Sequence, residues 1–300
     1  MSIAAGRVRT DNPINPTDGY AIRAESRNSA TFFGSDPQLT FLKGVGDAAW
    51  YHPLGFGSVF ALRLRMGAIW GGASSPTGGK QPPQQERLYA GGASSVRGFQ
   101  QNELGSLLYV LDDADTVKFN QLGTDTAYFT YPTSLKRSRR VVPVGGNSLF
   151  VANVDYRVRS PFLPQLLQFT FFTDVGSVWN WKTQSDFGGF RPYWTPGIGV
   201  RVFTPLGPVQ VNAGYNPYPP VLGQALYTPG PAKALVGLTG VYCAVPEGTP
   251  TAQAPISTRE NASAAWKQSP SPQCNQTFRP RLQPGFSHRL TFTFSIGPDF

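Results

Sequence analysis

Strict two-residue alternation of apolar and polar side chains, repeated in segments of about 8–12 residues, most limits what this chain can become. In Leu290-Thr-Phe-Thr-Phe-Ser-Ile-Gly297, Leu290, Phe292, Phe294 and Ile296 share one face, while Thr291, Thr293, Ser295 and Gly297 share the other. In Phe150–Arg159, Phe150, Ala152, Val154, Tyr156 and Val158 oppose Asn153, Asp155, Arg157 and Arg159. In Phe60–Trp70, Phe60, Leu62, Leu64, Met66, Ala68 and Trp70 oppose Arg63, Arg65 and Gly67. Side chains alternate across a strand, so each segment reads as a strand with one greasy and one polar face. The same reading covers Tyr20–Arg27, Leu39–Tyr51, Leu167–Trp179, Gly197–Thr204 and Pro208–Tyr215, with a weaker partial strand at Ile3–Thr10. A soluble sandwich would bury the greasy faces against a second sheet. A membrane barrel would turn them to lipid and keep the charges in a wet interior.

The connections separate these readings because they alternate in length. Short Pro/Gly-rich turns fall at 11–19, 52–57, 160–164 and 204–208; between them lie long connections at 28–38, 71–147, 180–196 and 216–287. Tight turns on one side and long loops on the other are the asymmetry of outer-membrane barrels. Composition agrees: charged residues are 14%, well under the usual quarter, while aromatics reach 13% and glycine and proline are abundant. No window of about 18 apolar residues exists for a membrane helix. The expected fold is therefore all-β, an antiparallel transmembrane β-barrel of about eight strands.

The formal charge is +9. Most arginines sit singly within alternating segments, so no surface for nucleic acid is expected. The one dense run, Lys136-Arg137-Ser138-Arg139-Arg140, reads either as a solvated loop or as a contact for lipid phosphates. The only two cysteines, Cys243 and Cys274, lie in the 216–287 connection and are a candidate disulfide; two unrelated thiols are the alternative. Asn261-Ala-Ser263 and Asn275-Gln-Thr277 match glycosylation acceptors. No GxSxG elbow, HExxH, Walker loop or GxGxxG occurs. His52, in a tight turn, and His288, at the mouth of the last strand, lack an acid or nucleophile nearby in sequence. No enzymatic chemistry, cofactor or metal is expected. The first residues, MSIAAGRVRT, contain no apolar signal region.

Gly91–Phe99 reads GGASSVRGF, a glycine-rich loop holding one cation between apolar residues. With Val154-Asp-Tyr-Arg-Val-Arg-Ser-Pro161, Phe172-Thr-Asp-Val-Gly-Ser-Val-Trp179, Gly197–Pro208 and the terminal strand ending at Phe300, it resembles the C-terminal barrel of the BamA/TamA superfamily of outer-membrane assembly factors. The resemblance covers nearly the whole chain except 216–287. It implies a C-terminal partial barrel, without the preceding strands and periplasmic POTRA domains. It also implies that the 71–147 loop folds inward, so that Arg97, flanked by Val96, Gly98 and Phe99, meets Asp155 and Asp174 on the wall. Independently, Asp155 lies on a polar face with Asn153 and Arg157, and Asp174 shares its face with Gln168 and Thr170. A guanidinium fork suits two carboxylates; a local surface ion pair is the plainer alternative. The last strand, with Phe292, Phe294, Ile296 and terminal Phe300, is implied to be an insertion signal and one half of a lateral gate. The implied function is folding of β-barrel clients into the bacterial outer membrane, with outer-membrane lipid, unfolded clients and periplasmic or lipoprotein accessory subunits as partners. The alternatives are an FhaC-like two-partner secretion pore and the barrel portion of a patatin-like phospholipase.

Overall fold

Each alternating segment forms a strand, and the strands pair in chain order into one nine-stranded antiparallel sheet. They are β1 (Ser2–Thr10), β2 (Gly19–Ser29), β3 (Phe41–Gly55), β4 (Ser58–Gly71), β5 (Ser148–Arg159), β6 (Leu167–Trp179), β7 (Tyr193–Thr204), β8 (Gly207–Tyr215) and β9 (Leu290–Ile296). β4 and β5 lie side by side despite the long excursion between them, with Asn153 opposite Arg63. The computed structural model describes all residues except 37–39, 75–79, 112–113, 122–123, 134–139, 182–188, 206, 229–240, 251–252, 255, 260–266, 269–273, 275–277, 281–284 and 298–300. Phe300, residues 136–139 of the basic run and both glycosylation acceptor sites therefore contain or consist of positions outside the described residues.

Polarity across this sheet is the reverse of a soluble protein's. Leu64, Met66, Phe171, Ile198, Val211 and Phe292 stand exposed on one face. Asn153, Asp155, Arg157, Asp174, Arg201 and Asn212 are buried on the other. Buried charge beneath an exposed greasy face fits a wall between lipid and a polar interior; a soluble sandwich would bury the greasy face instead. Among the described residues β1 and β9 are the edges and do not pair with each other, so the sheet is an open part of a barrel.

The turns are tighter than the sequence indicates. The 52–57 stretch reads as a turn, but β3 continues to Gly55 and the loop is only Phe56–Gly57, both at positive φ (49° and 73°), as a two-residue hairpin requires. Pro53 misled the reading: it sits at a register irregularity, where its missing N–H breaks no regular ladder bond. His52 is thus a strand residue, its ring stacked on Trp50 at 5.5 Å. β7 likewise begins before Gly197 and takes in Pro196. In the β1–β2 turn, Asp11 Oδ1 accepts the amides of Thr17 and Asp18, and Oδ2 accepts the Thr17 hydroxyl. Its slight burial opposes the charge, but these bonds outweigh it and lower its pKa to about 2.

The chain divides into two compact units: Met1–Gly105, Gly145–Tyr218 and Gln283–Phe300 form the first, and Ser106–Val144 with Pro219–Leu282 form the second. The 71–147 and 216–287 connections are thus not two independent loops, because segments of both share one eight-stranded sheet in the second unit. Leu107–Leu111 pairs in parallel with Gln224–Tyr227, and Thr124–Tyr131 with Tyr242–Pro246. Tyr109, Phe129, Tyr227, Tyr242 and Phe278 form its core. Cys243 is disulfide-bonded to Cys274 in this unit, closing a span of 31 residues. In the chain-entropy model a loop of that size stabilises by about 3–4 kcal/mol. Reducing the full chain, or replacing both cysteines by serine, is expected to lower only the second unit's calorimetric transition; an unchanged transition would show that the bridge contributes nothing.

Candidate functional site

Residues 82–105 leave β4 and run across the buried face of the sheet. Leu88, Ala90, Val96, Phe99 and Leu104 from this segment form one apolar cluster with Phe41, Ile69, Leu149, Val151 and Val178 of the strands. That cluster seats the loop; the strand register then sets what its tip meets. One cross-strand row aligns Ala49, Arg63, Asn153, Asp174 and Thr195. The next aligns Tyr51, Ala61, Asp155, Phe172, Gly197, Gly214 and Thr291. Asp155 and Asp174 are therefore diagonal neighbours on adjacent strands, a spacing of about 7–8 Å that one guanidinium bridges.

Arg97 fills that diagonal. Its Nη2 donates to Asp155 Oδ1 and to Asp174 Oδ1, both at 2.6 Å, and its Nε donates to Asp174 Oδ2 at 2.9 Å. The Arg97 backbone N–H adds a bond to Asp174 Oδ2 at 2.9 Å. The guanidinium lies over the Phe172 ring, 3.6 Å from its centroid. All three ionised groups are at most 3% exposed. Burial alone works against the Arg97 charge, but Asp155 and Asp174 outweigh it and raise its pKa above the ordinary arginine value.

Around this centre the loop residues meet the strands in turn. The Ser94 carbonyl accepts from Arg63 on β4, whose guanidinium also holds Asp47 on β3. Asn153 Nδ2 on β5 donates to the Ser95 carbonyl at 2.6 Å and to Asp174 at 2.8 Å. Val96 packs where Gly176 of β6 leaves room: a Cβ there would stand 2.5 Å from Val96 Cγ2. A Cβ on Gly98 would stand 2.4 Å from Thr195 Cγ2 on β7, and one on Gly214 of β8 would stand 2.6 Å from the Arg97 carbonyl oxygen. Thr291 of β9 donates to the Gly98 carbonyl at 3.0 Å, and Phe99 meets the Tyr193 ring edge-on. The tip thus touches every strand from β4 to β9. Among the described residues no cluster of His, Cys, Asp or Glu is placed to hold a metal ion.

The Omp85 superfamily domain model matches residues 1–218, well over half of the chain. The chain belongs to the Omp85 superfamily. It is 27% identical over 245 residues to the outer membrane protein assembly factor BamA of Neisseria meningitidis serogroup B, an alignment covering 71% of this chain and 26% of that protein. A crystal structure of BamA from Haemophilus ducreyi lacking POTRA domains 1–3 shares the fold, with a TM-score of 0.52 and 21% identity over 72% of this chain and 38% of the solved one. This chain thus spans about a quarter of the curated relative. As an Omp85 barrel, it is a protein of the bacterial outer membrane.

Of the site residues expected from sequence, this Omp85 sheet brings together Val96, Arg97, Gly98, Phe99, Asp155 and Asp174. Phe292, Phe294 and Ile296 lie apart from them, exposed on the outward face of β9, and Cys243 and Cys274 belong to the second unit. Sequence reasoning missed Arg63, Thr195, Gly214 and Thr291 as loop partners, although alternation already placed Arg63 and Thr291 on the polar face. It also missed Arg201, whose Nη1 donates to Asn15 in the β1–β2 turn at 3.1 Å and whose Nη2 donates to Gln210 at 2.5 Å. No local signal joins residues 186 positions apart.

Removing one member of a buried ion cluster costs about 3–5 kcal/mol, because the remaining charge is stranded. Arg97→Ala is expected to lose about that much in urea unfolding of the detergent-solubilised full chain, with loop 91–105 becoming protease-sensitive. Adding Asp174→Ala should cost far less than its single effect. Strictly additive losses would show that the three groups do not act as a unit.

Proposed function

We propose that this Omp85 barrel folds β-barrel client proteins into the outer membrane by offering them a strand edge, with no enzymatic step. The observation that carries the reading is the set of β9 backbone groups that no strand of the described residues pairs. Arg289 accepts from Asn216, and Gly297 donates to Pro208, so the odd-numbered residues of β9 direct their backbone groups to β8. By the alternation of an antiparallel ladder, the N–H and C=O groups of Phe292, Phe294 and Ile296 point to the side where the described residues supply no strand. Such an edge is a template for a client strand. The clasp supports the reading by holding the wall beside that edge, through Thr291, to the rigid Arg97 centre. Periplasmic or lipoprotein subunits that deliver clients belong to the same proposal. A secretion pore would need its passage along the inner face, where the loop tip lies against β4 to β9.

The test uses the full chain in proteoliposomes and measures the rate at which a urea-unfolded β-barrel client acquires its folded, heat-modifiable mobility. Phe294→Pro removes a donor from the free edge and leaves the β8–β9 ladder bonds in place. It is expected to abolish most of the acceleration, whereas Phe294→Leu retains it. A proline variant as active as the parent protein would overturn edge templating.

A further inference from the structure

The geometry points to a binding site for an anionic glycerophospholipid headgroup on the outward face of β1, formed by Arg7 and Arg9. The register fixes their side: Arg7 is opposite Ile22 and Arg9 opposite Tyr20, and Tyr20 is in turn opposite Trp50. These partners belong to the greasy face, on which Ile22 and Trp50 are about half exposed. The inward arginines are another set: Arg63, Arg157 and Arg201 are held by Asp47, Asp155, Gln210 or Asn15 and Arg27 by Glu25 and Glu86, and Arg23, Arg65 and Arg159 share that face. Along β1 to β9 the outward positions of the described residues are otherwise uncharged.

Two unpaired cations on a lipid-facing wall need a reason, because a charge is costly at the bilayer midplane and tolerated only near the interface. Their depth supplies it. Arg9 is one residue from the β1–β2 turn and Arg7 two residues further along, so both long side chains reach the headgroup layer at the short-turn end. Neither has an acidic partner among the described residues, and both are exposed. Asp11, the acid nearest Arg9 in sequence, is occupied by Thr17 and Asp18. The two arginines project from one face about 7 Å apart, a pair of forked donors beside the amphipathic ring of Tyr20. That combination fits a lipid phosphate. The short-turn end of an outer-membrane barrel faces the periplasm, and the lipid of that leaflet is glycerophospholipid. The inference rests on the outer-membrane location and not on the assembly function.

The full chain, reconstituted in phosphatidylethanolamine nanodiscs containing phosphatidylglycerol, phosphatidylcholine or lipopolysaccharide, is extracted, and the lipid it retains is counted by native mass spectrometry. The parent protein is expected to retain phosphatidylglycerol over phosphatidylcholine. The Arg7→Gln/Arg9→Gln variant should lose about thirtyfold of that preference, the equivalent of about 1 kcal/mol for each basic residue. Arg7→Lys/Arg9→Lys should keep most of it, and Arg23→Gln, on the inward face of β2, should leave it unchanged. Unchanged heat-modifiable mobility of each variant verifies folding. Equal phosphatidylglycerol retention by the parent and the double-glutamine variant would overturn the site, as would a loss confined to lipopolysaccharide.

Discussion

Two carboxylates on neighbouring strands, both shut away from water, repel each other and forfeit their hydration; a sheet that carries them needs a cation held at the same depth. Arg97 is the cation that bridges both, and it comes from a loop, while Arg157 of the wall reaches Asp155 alone at 3.4 Å. The consequence is mutual dependence. Undocking the loop would take the short Arg97 bonds from both carboxylates and leave Asp155 the longer Arg157 contact at 3.4 Å, and the Arg97 charge is tolerable only against the wall. Small residues make the approach close enough: Gly98, Gly176 and Gly214 each stand where a Cβ would collide with the opposing chain. The bonds are short and charge-assisted, the kind that specify one docked geometry more than they add net stability.

This interaction sits within a second constraint, the inverted polarity of the sheet. Lipid accepts the outward Leu, Phe, Ile and Val side chains without cost, so the strands gain little by burying them and the apolar core is small. In the first unit it consists largely of the seat beneath the loop. The inner face must therefore be satisfied by polar bonding, which explains why Asn153 serves both the Ser95 carbonyl and Asp174, and why Arg201 ties Asn15 of a distant turn to Gln210. Loop and turn take the place of water on a surface that cannot be left dry and unpaired.

How much of this was legible in sequence follows from which interactions are local. Period-two alternation is a property of the strand itself, so the nine segments and their faces could be read directly, and even Ile3–Thr10, the weakest, became β1. Short turns join β1–β2, β3–β4, β5–β6 and β7–β8 as antiparallel neighbours, while the pairings across the long connections are not local. The clasp was legible only through the combined motif around Arg97, Asp155 and Asp174, since a lone arginine carries no information about its partner. Proline distorted the boundaries at Pro53 and Pro196, where strand irregularity and position tolerate a missing donor. The second unit was not legible, because its parallel pairings join short segments more than a hundred residues apart and loop composition masks their alternation.

The edge and the clasp are one mechanical problem. β9 is held on one side by β8, and its inward Thr291 is anchored to the Gly98 carbonyl, one residue from the ion cluster. A strand that exchanges partners on its open side must not peel from its closed side, and a ladder of backbone bonds alone frays from its ends. Under the edge templating proposed above, tying the start of that ladder to the ion cluster would let the open side stay reactive while the closed side stays in register. The outward Phe292, Phe294 and Ile296 add no competing hold, because lipid and a client strand's side chains solvate them alike. The proposed edge templating and rigidity at the clasp are therefore compatible demands on a single strand, met by the backbone groups of its even-numbered residues and the inward Thr291 side chain.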